Sequence, residues 1–441
     1  MRYIESLLDS FNPDLVGMRS LSIAQNHFKA VAFKIRQLKP GIPIVGGGPY
    51  PSISYEEIVS SWIVDLAVIG EGEMTLIELI YWFRSNKNIP CHIPGTIVLD
   101  KNVVRVNDSR PAIEDLDALP FPAYDLINLH DYTGQSNHAF QDTANCAFIC
   151  SSRGCPYRCV YCHQLFGKKI RRRSADNIIA EMRQHIDKRG ITNFVFVDDI
   201  FNVPIEKGKE LLQRIHRDLP HIHCNFPNGM RADQIDEELI DLLEQVGTIH
   251  IALAIETASP RLQTLIGKHL NLDKAKKAIA EASKHFIVCG FFMIGFPSET
   301  YDEAMETIRF AEELDYLSEP TLSVVRVYNK TRLFDMLKPT ETQKKALIEQ
   351  ELKMLQPKLS APASFYGDFF PMEKVPLRGE TIQVLQWEWV RRILNNSIRI
   401  RNSHSILEKF LNRNEILEFY RNFYDNPKFN EKSLHRLLKM Q

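Results

Sequence analysis

The stretch S-S-R-G-C-P-Y-R-C-V-Y-C-H-Q, Ser151–Gln164, decides how the rest of the chain is read. Within it Cys155, Cys159 and Cys162 follow one another at gaps of three and then two residues. Thiols this crowded are poorly placed for disulfides. They are also one short of the four ligands that close a structural zinc site, which is usually built from two separated pairs. Thiolates are soft ligands that select zinc or iron–sulfur clusters. A four-iron cluster held by three protein thiolates keeps one iron open for an exogenous ligand, and an open position on a metal marks chemistry rather than scaffolding.

The setting agrees with metal ligation. A chain of 441 residues with 44% apolar content is long enough for two or three domains. A formal net charge of -1 and a pI of about 6.9 give no global footprint for nucleic acid or an anionic membrane, so neither is expected as a partner. The chain starts M-R-Y-I-E-S-L-L-D-S-F-N-P-D, without the apolar core of a signal peptide. No run of about eighteen apolar residues follows. A cytoplasmic, thiol-reducing location is the expectation, and clustered cysteines are then metal ligands before they are disulfides.

Residues 1–110 read as an α/β unit. Pro13–Leu21, Ile42–Ser52 (I-P-I-V-G-G-G-P-Y-P-S) and Val64–Glu73 (V-D-L-A-V-I-G-E-G-E) are apolar strands running into turns, and His27–Lys39 and Met74–Phe83 carry apolar residues at helical spacing. Such continuous strands suit a buried parallel sheet. Residues 1–12 look like the tail of a helix, so this doubly wound, Rossmann-like domain is expected to be incomplete by one strand–helix unit. Whether Met1 is the natural start is not legible. Thr96–Asn107 reads as a closing β-hairpin, and residues 111–140 as an ordered linker broken by Pro111, Pro120 and Pro122.

From residue 141 to 335 strands and helices alternate. Expected strands are Cys146–Ser152, Asn193–Asp198, Ile222–Phe226, Thr248–Glu256, Ile287–Gly295 and Leu322–Tyr328. Between them lie amphipathic segments such as Ala175–Gly190, Asp236–Gly247 and Tyr301–Leu314. Six such repeats fall short of the eight that close a full barrel and predict a partial (β/α)6 barrel, with its ligand at the carboxyl ends of the strands. Residues 336–441 read as a helical C-terminal region packed on the barrel. Cys146, Cys150, Cys224 and Cys289 read as core residues. The basic run Gly167–Ser174 reads either as a solvated loop or as an attractor of an anionic substrate or of an acidic electron carrier.

The spacing Cys155-x3-Cys159-x2-Cys162, with Tyr161 before the last cysteine, resembles the defining motif of the radical S-adenosylmethionine superfamily. The further segments F-V-F-V-D-D-I-F, N-G-M-R-A-D, I-A-L-A-I-E-T-A-S-P-R-L and F-F-M-I-G-F-P-S-E-T, with the linker L-D-A-L-P-F-P-A-Y-D-L, resemble the branch that carries an amino-terminal cobalamin-binding-like domain. The resemblance covers roughly residues 13–330. It implies a [4Fe–4S] cluster whose open iron is chelated by S-adenosylmethionine, and reductive cleavage to a 5′-deoxyadenosyl radical that abstracts hydrogen from a small or medium metabolite. It also implies a flavodoxin or ferredoxin-type electron donor.

Carried over residue by residue, the resemblance gives Cys155, Cys159 and Cys162 to the cluster. It sets Tyr161 beside the adenine, Asp198 and Asp199 at the amino end of S-adenosylmethionine, and Arg231 at its carboxylate. Glu256 would meet the ribose, and backbone from Gly295 to Pro297 would flank the adenine. A zwitterionic ligand needs a cation and a carboxylate nearby, and a ribose diol suits a carboxylate acceptor. For Asp199 and Glu256 a helix-capping role competes.

Cobalamin is the cofactor left in doubt. The Asp-x-His-x-x-Gly loop that supplies a histidine to cobalt in many corrin domains is absent, and the shortened sheet reduces the corrin floor. Two reactions therefore compete: cobalamin-dependent methyl transfer, and a cobalamin-independent rearrangement such as dehydration, epimerisation or cyclisation. Methylthiolation is disfavoured, since Cys91 stands alone before the linker. Outside enzymes, a zinc staple of the three cysteines and His163 in a binding protein is the alternative.

Overall fold

The computed structural model describes residues 2–86, 88–132, 145–163, 165–354, 365–394, 396–423, 428 and 430–438. Met1 and the tail of the expected linker, residues 133–140, lie outside the described residues. The chain divides into two compact units that interleave along the sequence. One gathers Met1–Glu114, Val160–Lys169 and Val327–Phe369; the other gathers Asp115–Cys159, Ile170–Arg326 and Phe370–Gln441.

The first unit is built on a five-stranded sheet in sequential order: β1 (Val16–Arg19), β2 (Ile44–Gly47), β3 (Leu66–Val68), β4 (Thr96–Asp100) and β5 (Val103–Val106). The first three strands are parallel, and β4 and β5 form the expected antiparallel hairpin. Lys101 and Asn102 turn that hairpin with positive φ at both positions, the twist that a two-residue turn requires. Side chains alternate across the sheet. Ile44 packs with Phe28, Ile35, Tyr50 and Ile58 on one face, and Val45 with Leu66, Val68 and Leu79 on the other. Burial on both faces is why these strands read as continuous apolar runs. The expected helical tail is the helix Arg2–Phe11, and among the described residues β1 pairs with β2 alone.

The second unit carries β6 (Cys146–Ile149), the short antiparallel pair β7 (Ser152–Arg153) and β8 (Arg171–Arg172), then β9 (Asn193–Phe196), β10 (His223–Met230), β11 (His250–Glu256), β12 (Ile287–Ile294) and β13 (Glu319–Val324). The main sheet runs β13-β12-β11-β10-β9-β6, and every neighbouring pair is parallel. This is the open, sequential six-stranded order expected of a partial (β/α)6 barrel. Helices Ala175–Arg189, Ile205–Asp218, Glu237–Gln245, Leu272–Ala282 and Tyr301–Glu312 make the crossovers. Their ends follow local chemistry. Ser174 and Asp236 accept backbone N–H bonds as N-caps, Gly190 ends the first helix in the left-handed region at φ 65°, and Thr300 with Glu303 closes a capping box.

Two strands depart from their expected bounds, and proline lies in both. The last strand, expected over Leu322–Tyr328, begins three positions earlier at Glu319, so that it includes Pro320, and ends at Val324, four short of Tyr328. Proline is tolerated because β13 is an edge strand of this sheet. The strand expected over Ile222–Phe226 continues through Pro227 to Met230, and its register shifts between Phe226 and Met230.

The C-terminal region is helical as expected. Helices Gly379–Trp389, Ser397–Phe410, Arg413–Phe423 and Glu431–Leu438 belong to the barrel unit, whereas Glu341–Met354 belongs to the first. The Trp389 ring packs at a tilt with its centre 5.4 Å from that of Phe292, and Ile287 joins the core of Ile400, Leu407, Leu417 and Tyr420. Among the described residues no helix is long and apolar enough to cross a membrane.

Candidate cofactor site

β6 ends at Ile149, and past the short β7 the chain enters a loop without regular structure that holds Cys155, Cys159 and Cys162. None of the three is in a disulfide; the first two are half-buried and Cys162 is exposed. This donor set suits thiolate ligation of an iron–sulfur cluster, since the sulfurs are neither oxidised in pairs nor lost in a core.

Two aspartates at the carboxyl end of β9 hold the start of this loop. The buried Asp198 carboxylate accepts from Ser151 Oγ at 2.7 Å, from Ser152 Oγ, and from the Ser151 backbone N–H at 3.3 Å. Burial pushes the Asp198 acid upward, against the pull of those hydrogen bonds. Asp199 is exposed at its surface and accepts the Gly154 N–H at 3.1 Å. Gly154 lies at φ 98°, a conformation that favours glycine just ahead of Cys155.

Arg231 follows β10 and is engaged within the protein. It donates to the carbonyls of Lys268 at 2.9 Å and His269 at 2.8 Å, its Nε is 2.7 Å from Asp233, and its guanidinium lies 4.1 Å from the centre of the Tyr157 ring. Tyr157 sits between Cys155 and Cys159, so this cation–π contact braces the cysteine loop. A Cβ at Gly267 would lie 2.8 Å from the Arg158 carbonyl, so only glycine lets the 267–269 turn approach that loop. Glu256 ends β11 at φ 70° and receives Lys268 Nζ at 2.8 Å. Past β12, Gly295 and Phe296 donate their N–H groups to buried Glu299, and Pro297 is buried beside them. Burial pushes the Glu299 acid up to about 8.

Tyr161 is half-buried in the segment Val160–Lys169, where the Val160 carbonyl accepts the Leu333 N–H at 2.8 Å. His163 directs Nε2 toward the Asn329 carbonyl at 3.1 Å and packs against Tyr328, and burial lowers its pKa. The basic run is not a solvated loop throughout. Arg172 donates to the carbonyls of Phe201 and Val203, and Arg173 pairs with buried Glu181. Cys150 is half-buried, and burial pushes its thiol up to about 12, which leaves it protonated. Sequence reasoning missed Tyr157, Gly267, Lys268 and Glu299. Gly-Lys directly after an apolar helix was the available signal for the second and third, and nothing local marks the others.

Residues 149–311 match the radical SAM superfamily model, and residues 1–80 match the B12 binding domain model. An uncharacterized methyltransferase of Pyrococcus horikoshii is 28% identical over 75% of this chain and 71% of that protein. The cytidylyl-2-hydroxyethylphosphonate methyltransferase of Streptomyces wedmorensis is 27% identical over 71% of this chain and 65% of that protein. Among solved structures, the radical S-adenosylmethionine methyltransferase TsrM from Kitasatospora setae, with cobalamin and a [4Fe-4S] cluster bound, superposes at a TM-score of 0.61. That match has 19% identity over 76% of this chain and 69% of that one. The cobalamin-dependent S-adenosylmethionine radical enzyme OxsB superposes at 0.65 with 18% identity, over 99% of this chain and 65% of that one. At such identities the structures speak for the fold. With both domain models matched in order, the chain belongs to the radical SAM superfamily and carries a B12-binding domain ahead of its radical SAM domain. It is a radical SAM enzyme, the class that works with a [4Fe–4S] cluster and S-adenosylmethionine.

Proposed function

We propose that this enzyme transfers a methyl group to a small-molecule substrate by radical chemistry, using cobalamin as the methyl carrier. The observation that carries the reading is a cysteine loop braced at the carboxyl ends of the barrel strands within a chain that also matches a B12 binding domain. Methyltransferases among its relatives point to the same reaction.

The chain's residues fit a corrin in part. β2 ends in Gly46 and Gly47, with Gly48 just beyond, and a Cβ at Gly47 would meet nothing within 4 Å, so a flat ring can approach backbone there. Beyond the ends of β1 and β2, a cavity of about 360 Å³ is lined by Ser22, Gln25, Tyr50, Tyr328 and Lys330 among others. Cysteines 155, 159 and 162 would hold the cluster. When bound, the cluster and S-adenosylmethionine supply one-electron cleavage of the sulfonium, and cobalamin supplies a methyl carrier. Asp198 and Asp199 fix the approach of the cysteine loop through Ser151, Ser152 and Gly154. Arg231 braces the loop through Tyr157. Its donors are largely committed inside the protein, so its remaining N–H is what it offers a ligand carboxylate. Glu256, held in place by Lys268, offers a carboxylate to a ribose diol. Glu299, largely protonated at neutral pH, fixes the backbone at Gly295 and Phe296 that would flank an adenine, with Tyr161 on the motif side. A flavodoxin or ferredoxin-type protein in a reducing, cytoplasmic compartment would deliver the electron.

The test is anaerobic purification and cluster reconstitution, then titration with hydroxocobalamin followed by gel filtration and absorbance. Corrin co-eluting at one per chain is the expected result. No bound corrin, with 5′-deoxyadenosine still released under reductant, would overturn methyl transfer in favour of a cobalamin-independent rearrangement. A colourless, zinc-loaded protein would overturn the radical reading for this chain as a whole.

A further inference from the structure

Three metal-ligating side chains meet at the opposite end of the barrel sheet from the cysteine loop. His250 opens β11, Cys289 is the third residue of β12, and Glu319 opens β13. The register explains the meeting. Cys289 and Glu319 are direct partners across β12 and β13, while His250 is paired with Ile287, two residues before Cys289 and on the same face. One nitrogen, one sulfur and one carboxylate oxygen result, all within 4.8 Å of one another. His250 and Cys289 are buried and Glu319 is 15% exposed at its side chain.

We propose that His250, Cys289 and Glu319 form a second metal site, one that takes a zinc-like divalent ion and ties the amino-terminal ends of β11, β12 and β13 together.

The spacing favours an ion over a simple hydrogen bond. His250 Nε2 and Glu319 Oε2 are 3.5 Å apart. That is long for a charge-assisted hydrogen bond, which closes to about 2.7–2.9 Å. It matches the edge of a zinc tetrahedron, about 3.4 Å for nitrogen and oxygen ligands each about 2.0–2.2 Å from the metal. The mixed nitrogen, sulfur and oxygen donors suit zinc, where hard ions such as magnesium and calcium take oxygen alone. Glu319 is the solvent-facing member, so water takes the fourth position from that side. Glu256 lies six positions along β11 from His250, roughly 20 Å of strand, which keeps this site apart from the one proposed to serve S-adenosylmethionine. The inference therefore stands or falls separately from the radical chemistry.

The experiment uses the full chain with Cys155, Cys159 and Cys162 all changed to alanine, stripped of metal and titrated with cobalt(II) alone. One cobalt per chain is expected, with a tetrahedral ligand-field spectrum and a thiolate-to-cobalt charge-transfer band. Adding Cys289→Ser should abolish the charge-transfer band. Adding the isosteric Glu319→Gln should weaken cobalt binding at least about tenfold, with the circular dichroism of the metal-free chain unchanged. No cobalt spectrum in the parent overturns the proposal, and so does a spectrum indifferent to Glu319→Gln. Glu319→Gln decides the matter even where Cys289→Ser fails to fold.

Discussion

Lys268 Nζ lies 2.8 Å from Glu256 Oε1, and the two side chains are only 8% and 9% exposed. The pair sits where β11 ends in a left-handed residue, Glu256 at φ 70°. A non-glycine residue held there costs on the order of 1–3 kcal/mol and persists only when its surroundings over-determine it. Breaking a buried pair from one side strands a charge, at about 3–5 kcal/mol. Lys268→Met should therefore destabilise the chain by that amount, and Lys268→Met with Glu256→Gln should recover most of it. Urea unfolding of the cluster-free protein checks this, and a double variant no more stable than Lys268→Met alone would show that no charge is stranded at Glu256.

Asp198 gives a second prediction. It holds Ser151 and Ser152, which lead into the loop. Asp198→Ala should let the cluster dissociate roughly tenfold faster, the scale on which outer-shell contacts govern metal retention. Asp198→Asn keeps an acceptor and should lie between the two. Iron release to a chelator, followed by absorbance, measures it. Unchanged release in Asp198→Ala would mean that the loop needs no such brace.

These two contacts show where the sequence was legible. Cysteine spacing is local, so the cysteine loop could be singled out directly, while Asp198, Asp199, Arg231 and Glu256 were picked out through the family resemblance and lie at or just past strand ends. What those residues touch was not legible. Lys268 reaches Glu256 across twelve positions, and Tyr157 meets Arg231 only because β10 delivers it to the same place. Pro320 and Pro227 hid the extents of β13 and β10, because proline argues against a strand unless one knows that the strand lies at an edge or bends. Cys289 was legible as core, but its neighbours His250 and Glu319 arrive from other strands through register alone.

Arg399 fastens the helical C-terminal region to the barrel. It is 2% exposed and donates to the carbonyls of Ala311, Leu314 and Ile393. Burial lowers its pKa to about 10, still charged at neutral pH. Arg399→Met fills the space but removes three hydrogen bonds from a charged donor to these carbonyls, which keep only their backbone N–H partners, at a cost of about 3 kcal/mol. A fall in thermal midpoint with the iron content unchanged is expected. Full stability in the variant would mean that water replaces the guanidinium.

Glu299 makes the last prediction, and its sign follows from proton counting. Burial raises its acid from 4.5 to about 8 in the folded chain. Below pH 4.5 both states hold the proton, and above pH 8 neither does. Between these values the folded state binds more protons than the unfolded one, so stability falls as pH rises through the window. The full span is on the order of 5 kcal/mol. Glu299→Gln keeps an oxygen for the Gly295 and Phe296 N–H groups and removes the titration. Wild type should therefore lose stability relative to the variant between pH 5 and pH 8, read as diverging thermal midpoints. Parallel curves would place the Glu299 acid back in the ordinary carboxylate range and would mean that the Gly295–Phe296 turn is held by a carboxylate ion.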